Sequence, residues 1–195
     1  MPVSHIERSL WEQGYQKIVG VDEAGRGPLA GPVVAGAVIL PPFKEFEVIQ
    51  DSKSLSVGER EKAFHSIIIN ALDWSIGIVD ARKIEKINIL EASRIAMQEA
   101  INGLRIKPDF CLIDALSLSL PFPSLSIIKG DTTCQCIAAA SILAKVFRDW
   151  LMKKVSLILP FYGFEKHKGY ATPLHKKNIK EHGPSPLHRK TFKLF

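Results

Sequence analysis

The sequence predicts an α/β domain built on five strands, and three observations carry that expectation. Apolar runs of strand length, Lys17–Asp22 and Val33–Leu40, flank a single glycine-rich corner, which makes them a hairpin. A third run, Asp73–Val79, places Trp74, Ile76 and Ile78 at period two, so the first three strands read as antiparallel. Two later runs, Asp109–Ala115 and Leu125–Lys129, are joined to the rest through helices and so read as parallel to the first. Those helices are long enough to cover both faces of the sheet. A length of 195 residues fits one globular domain, and 46% hydrophobic content gives it a real core.

Taken in order, Ser4–Gln13 is a short amphipathic helix, with Ser4 and Glu7 spaced as a capping box and Gly14 as the stop. Lys17–Asp22 is apolar on both faces near its end, as a central strand must be. The corner Gly25–Gly31 turns the chain into Val33–Leu40, which Pro41-Pro42 ends. Asp51–Leu55 is a polar loop, and Ser56–Ala71 a helix with Glu59, Glu61 and Lys62 on its wet face. Ala81–Leu104 has helical periodicity, broken near Asn88; Ile89, Leu90, Ala92, Ile95, Ala96 and Ala100 form its buried stripe. Pro108 opens the strand that carries Asp114, and Leu125–Lys129 runs into Gly130-Asp131. The longest helix, Thr132–Leu157, carries Ala138, Ala139, Ala140 and Ala144, small enough to lie close to a sheet. A short helix from Pro173 and the coil Gly183–Phe192 complete the chain, with residues 160–195 as a basic C-terminal appendage.

The net charge of +6 is unevenly placed: from Trp150 onward ten Lys/Arg face only Glu165 and Glu181. A basic tail on a near-neutral body reads either as a surface for a polyanion or as a solvated helical face. No apolar run reaches the ~20 residues of a membrane span, and the N-terminus lacks a signal-peptide pattern, so a cytoplasmic chain is expected. Cys111, Cys134 and Cys136 form no disulfide framework, and one C-x-C pair makes no zinc site; they read as small buried hydrophobes.

Asp22, Glu23, Asp114 and Asp131 share one property: each lies at the end of an apolar strand or just past it. Strand C-termini of an α/β sheet line one edge, where ligands bind. Carboxylates gathered there repel, at about 3 kcal/mol per ionised pair for ~5 Å and an effective dielectric of ~20. Such a cluster takes up a cation or protons, and oxygen donors without paired His or Cys favour Mg²⁺ or Mn²⁺ over zinc. Two such ions about 4 Å apart clamp a phosphodiester. Singly, Asp131 also reads as a helix N-cap and Asp114 as a strand-end turn residue. Together with the glycine corner, the metal-site reading wins. It carries a geometric condition: neighbouring strand residues face opposite ways, so Asp22 and Glu23 both reach one site only if the pleat ends at Glu23.

At these residues the chain resembles ribonuclease HII. The similar stretches are Val21–Val33, Asp51-Ser52-Lys53, Ile113–Leu116, Ile128–Asp131, Ile137–Asp149, His167–Tyr170 and Gly183–Arg189, which together span nearly the whole chain in order. The resemblance implies a ribonuclease H-like fold, a five-stranded mixed sheet flanked by helices with a small helical C-terminal part. It implies divalent-metal endonucleolytic cleavage of the RNA strand of RNA–DNA hybrids, and incision 5′ of a single ribonucleotide embedded in duplex DNA, in replication and repair. It assigns Asp22, Glu23, Asp114 and Asp131 to the metal site, Gly25-Arg26-Gly27 to the ribonucleotide reader and Tyr170 to the place beside the 2′-hydroxyl. A monomer is expected.

The residue chemistry agrees. Glycines let backbone groups approach a sugar, Arg26 can fork onto phosphate, and a nuclease that selects RNA must sense the 2′-OH. Lys53, Ser141 and Lys145 are candidate phosphate contacts, though as single residues they read equally as surface groups. Tyr170 alone would read as an ordinary half-buried aromatic. Thr132–Cys136 departs from the smaller or more polar residues expected there. Three other readings rank lower. The sister class, ribonuclease HIII, carries a Gly-Lys-Gly corner; a dinucleotide-binding turn wants G-x-G-x-x-G opening a helix. A non-catalytic nucleic-acid-binding module leaves four strand-end acids unexplained.

Overall fold

A computed structural model describes residues 3–49 and 55–194. Five strands form one sheet in the order β3-β2-β1-β4-β5: β1 Ile18–Ala24, β2 Val33–Ile39, β3 Asp73–Val79, β4 Phe110–Asp114 and β5 Ser124–Ile127. The pairs β1–β2 and β2–β3 are antiparallel, and β1–β4 and β4–β5 are parallel, as the sequence predicts. The helices are α1 His5–Glu12, α2 Val57–Asn70, α3 Ala81–Ile87, α4 Ile89–Asn102, α5 Gly130–Thr133, α6 Gln135–Ile158, α7 Phe164–His167 and α8 Pro173–His182. No helix among the described residues is long and apolar enough to cross a membrane.

Two layers sandwich the sheet. Leu10, Trp11, Val38, Ile67, Leu112 and Ile137 fill the space under α1, α2 and α6; Val19, Val21, Ala35, Ala96, Met97 and Ile113 fill the side under α4. Both helices approach closely because the strands present glycine to them. A Cβ on Gly20 would lie 2.1 Å from the carbonyl carbon of Cys136, and one on Gly77 would lie 1.9 Å from the oxygen of Ala96. Ala138, Ala139 and Ala140 are fully buried on the facing side of α6, as their size requires.

The alternation of β1 therefore assigns Gly20 and Asp22 to the α6 side and Val21 and Glu23 to the α4 side. The capping box of α1 forms, and Glu7 does more than close it. Its buried carboxylate also accepts from the amides of Gln135 (3.0 Å) and Cys136 (2.9 Å), capping α6 from another helix.

Three expectations need correction, and β3 adds a finding of its own: its apolar face is not its buried face. Trp74 and Ile78 are 37% and 41% exposed, while Asp73, Gly77 and Val79 are buried, because α4 lies too close to β3 for bulky residues. Leu90 is exposed, and Met97 and Ile101 join the α4 stripe instead. The long helix is two helices, broken at Cys134, whose backbone is extended (φ −112°, ψ 131°). Asp131 caps neither: Lys129 and Cys134 occupy the cap positions, and Asp131 sits buried in the first turn of α5. Asn88 does break the helical stretch, with φ +70° and its Oδ1 accepting from the amides of Leu90 and Glu91.

The C-terminal segment folds back onto the corner after β1. Leu29 N–H donates to Gly169 O at 2.8 Å, Gly31 N–H to Leu187 O at 2.9 Å, and Arg189 N–H to Leu29 O at 2.8 Å. Phe164 and Met152 pack on Ala30, and Ile179 and Leu194 on Leu29.

Candidate active site

Pairing between β1 and β4 stops at Val21 and Ile113, so the strand ends that carry Asp22, Glu23 and Asp114 open over the sheet edge. A hollow of about 250 Å³ lies there. Asp22, Glu23 and Asp114 line it, with Gly25, Ser141, Lys145 and Tyr170 around them. The structure thus brings together seven of the residues singled out by the sequence. Arg60 of α2 also lines the hollow, and the sequence does not single it out; a lone arginine between Glu59 and Glu61 gives no signal.

The pleat does not break at Glu23. β1 stays paired with β2 through Ala24, with Glu23 opposite Ala35 and Ala24 opposite Val34. Both acids line the hollow nonetheless, because it sits over the end of the strand, where no β4 residue separates the two faces.

Asp22 is buried, and its carboxyl is held well above the usual carboxylate range by burial first, then by the charges of Glu23 and Asp114. A hydrogen bond with Ser141 and the Glu23 amide (2.7 Å to Oδ1) oppose the shift. Glu23 is also raised by burial; Arg26 pulls the other way and Asp114 adds to the rise. The Arg26 guanidinium lies 3.4 Å from Glu23 Oε1, and the other carboxylate oxygen of Glu23 is buried without a hydrogen-bond partner. Asp114 Oδ1 accepts from the Gly130 amide at 2.7 Å.

Among the described residues no three acidic, histidine or cysteine side chains are drawn tightly enough to cage an ion by themselves. The donor chemistry still fits a hard divalent cation. Three carboxylates share one hollow, two are raised by burial and mutual repulsion, and one buried oxygen lacks a donor. An incomplete cage suits an ion such as Mg²⁺, which keeps waters and shares substrate oxygens.

Some predicted residues stand apart. Asp131 is buried beside the Gly130 amide that binds Asp114, but it does not line the hollow. Arg26 and Gly27 lie at its rim rather than in its lining; a Cβ on Gly27 would come within 4.0 Å of the Tyr170 ring. Tyr170 is 42% exposed, with Lys145 Nζ 5.7 Å and Arg148 Cζ 5.8 Å from its ring centre. Lys53 lies outside the described residues. The three cysteines are buried and free; burial pushes the Cys134 thiol up to about 11 and raises the other two.

The corner has an unusual support. Gly25 adopts φ +101°, and a Cβ there would lie 2.2 Å from Arg148 Nε. Arg148 is fully buried and donates to the carbonyls of Pro32 (2.9 Å) and Ala30 (3.1 Å); Arg189, also fully buried, lies beside it.

The family model for ribonuclease HII matches residues 19–195. The ribonuclease HII of Chlamydia trachomatis serovar L2 is 50% identical over 190 residues, which cover 97% of this chain and 88% of that protein. That of Leuconostoc mesenteroides is 52% identical over 189 residues, covering 96% of this chain and 74% of the other. Among solved structures, the ribonuclease H2 of Pyrococcus horikoshii OT3 superposes with a TM-score of 0.79 at 29% identity, over 91% of this chain and 94% of that one.

Proposed function

The chain belongs to the ribonuclease HII family of metal-dependent ribonucleases H, and from that premise we propose that it hydrolyses RNA–DNA hybrids and incises duplex DNA on the 5′ side of a single embedded ribonucleotide. The observation that carries this reading is the sharing of one hollow by Asp22, Glu23 and Asp114 with Tyr170 and Gly25 at its margin. Chemistry and sugar recognition would then meet on a single phosphodiester.

In this reading Asp22, Glu23 and Asp114 would hold Mg²⁺ or Mn²⁺ in the hollow as a pair of ions, with Asp131, outside its lining, as the fourth carboxylate. Such ions, when bound, offset the carboxylate charge, lower the pKa of water and stabilise negative charge on the phosphate. Lys145, with Lys53, holds the neighbouring phosphate, and the Ser141 hydroxyl orients Asp22. Arg26, released from Glu23, forks onto phosphate oxygens. The N–H and C=O groups of Gly25–Gly27 meet the 2′-hydroxyl, which is donor and acceptor at once, while the Tyr170 ring packs against the adjoining sugar. The products are a 3′-hydroxyl and a 5′-phosphomonoester. Residues 160–195, rich in lysine, contact the duplex beyond the cut, and the chain acts as a monomer.

The test is a labelled duplex with one ribonucleotide, incubated with Mg²⁺, with Mn²⁺ and with neither. Cleavage at the 5′ side of the ribonucleotide, dependent on the ion, is expected. Cleavage elsewhere, or none in either ion, would overturn the reading.

A further inference from the structure

The run Gly183–Arg189 packs directly behind Tyr170 and the corner. We propose that its adjacent residues His188 and Arg189 are positioning residues that hold the two halves of the ribonucleotide reader, Tyr170 and Gly25–Gly27, in register. The inference rests on the reading of those two halves as substrate contacts.

Arg189 grips the corner. Its Nη2 donates to Gly25 O (2.6 Å) and Gly31 O (2.8 Å), its Nη1 to Arg26 O (2.9 Å), and its Nε to Gly31 O (3.0 Å). No carboxylate among the described residues forms an ion pair with it, although the guanidinium is fully buried. An unpaired buried cation is costly, and four of its five N–H groups are directed at three carbonyls of one corner. The peptide unit is planar and trans, so its C=O and N–H point opposite ways. Holding the carbonyls of Gly25 and Arg26 toward Arg189 therefore aims the N–H groups of Arg26 and Gly27 away from it. Neither N–H meets an acceptor among the described residues.

His188 grips the other half through a relay whose proton positions are all determined. Its Nδ1 accepts from the Ser185 amide at 2.9 Å, so its proton is on Nε2. That Nε2–H faces His175 Nε2 at 3.0 Å, which must accept, so His175 carries its proton on Nδ1 and donates it to Tyr170 O at 2.8 Å. His167 stacks on His175 with ring centres 4.3 Å apart, and its Nδ1 accepts from the Gly169 amide at 3.2 Å. Two consecutive residues of the tail thus reach two surfaces more than 140 positions apart in sequence, and the single peptide between them fixes their separation.

The experiment uses the full chain and two duplexes, one with a single ribonucleotide and one of DNA alone. Binding to each is measured in EDTA, and kcat and KM are measured in Mg²⁺. Tyr170→Ala tests the underlying reading: if it leaves the preference for the ribonucleotide duplex intact, that reading fails. Arg189→Lys keeps the charge and loses the fork. With a thermal midpoint showing a folded chain, it is expected to reduce the preference about tenfold or more and to raise KM more than it lowers kcat. Should Arg189→Lys not fold, the pair His188→Ala and His188→Gln decides, since the Gln amide restores a donor to His175. His188→Ala is expected to lose preference and His188→Gln to recover part of it. Full preference in folded Arg189→Lys or in His188→Ala, with Tyr170→Ala defective, would overturn the positioning role and leave the reading standing.

Discussion

Asp114 Oδ1 and the amide of Gly130 are 2.7 Å apart, which ties the end of β4 to the first turn of α5, where Asp131 sits. One carboxylate oxygen of Asp114 thus has a structural task, while the residue also lines the hollow. Asparagine retains an oxygen to accept from Gly130 while removing the charge. Asp114→Asn is therefore expected to keep a thermal midpoint at or above that of wild type and its affinity for a hybrid in EDTA, and to lose cleavage in Mg²⁺ by on the order of 10²–10³-fold or more. Cleavage at the wild-type rate would remove Asp114 from the site.

Asp22 is expected to cost the fold stability when no cation is present. Burial and the charges of Glu23 and Asp114 raise its folded-state pKa, so the protonated form is favoured and stability is lost as pH rises through that raised value. At neutral pH in EDTA, Asp22→Asn is expected to be more stable than wild type by about 1–2 kcal/mol, in keeping with the strain that functional sites carry. Addition of Mn²⁺ should raise the wild-type midpoint and move the variant less. Calorimetry with and without the ion checks both.

The cluster of His167, His175 and His188 gives an opposite pH dependence. Burial lowers His188 to about 4, with His175 adding to the shift, and burial also lowers His167 and His175. The unfolded chain takes up these protons near the ordinary value of ~6.5, before the folded chain does, so stability is complete above ~6.5 and falls as pH drops toward 4. Ser185, His175 and the rings of Tyr162 and Phe164 surround His188, and none of them is an acid. Thermal midpoints between pH 7 and 4.5, taken in the Asp22→Asn background to remove the opposing carboxylate, are expected to fall, and to fall less steeply in His188→Gln. A flat profile would contradict the burial argument.

Two glycines with opposite surroundings test how close α6 must lie. Gly20→Ala would drive a methyl group into the backbone of Cys136 and Ile137, which cannot swing aside; a loss of about 3 kcal/mol or more is expected, with weakened ion binding because Ser141 moves off Asp22 with α6. Gly58, in the first turn of α2, has nothing within 4 Å of its Cβ position. Gly58→Ala is expected to stabilise by about 0.5–1 kcal/mol and leave cleavage unchanged. Urea titrations at constant m-value separate the two.

The strands, their directions and the acids at their ends were legible because they depend on local periodicity and on where apolar runs stop. The capping box of α1 was legible for the same reason, but its Glu7 also caps α6, a contact between residues 128 apart that no local pattern encodes. The reversed face of β3 was hidden because two faces compete for burial, and the decision lies in the Gly77–Ala96 approach rather than in hydrophobicity. Sequence reasoning demanded a broken pleat at Glu23, since it considered one strand without its neighbours; the early end of β4 pairing removes the need. Arg60 and His175 were not singled out, and Arg148, His167 and His188 stood inside motif stretches without a role, because their significance is three-dimensional. Each is a common residue type at an unremarkable spacing.

The bond from Arg189 to Gly25 closes a loop of 164 positions. Loop-closure entropy grows with length, so this contact is expected to close after the shorter-range contacts of the sheet. The sheet, the two layers and the strand-end acids can all assemble before the tail arrives, so a chain shortened before Ser185 would fold its charged hollow yet present an unshaped corner beside it. Arrival of the tail is thus the step that turns a folded body into a selective one, and refolding experiments should see sheet signals recover ahead of the preference for a ribonucleotide.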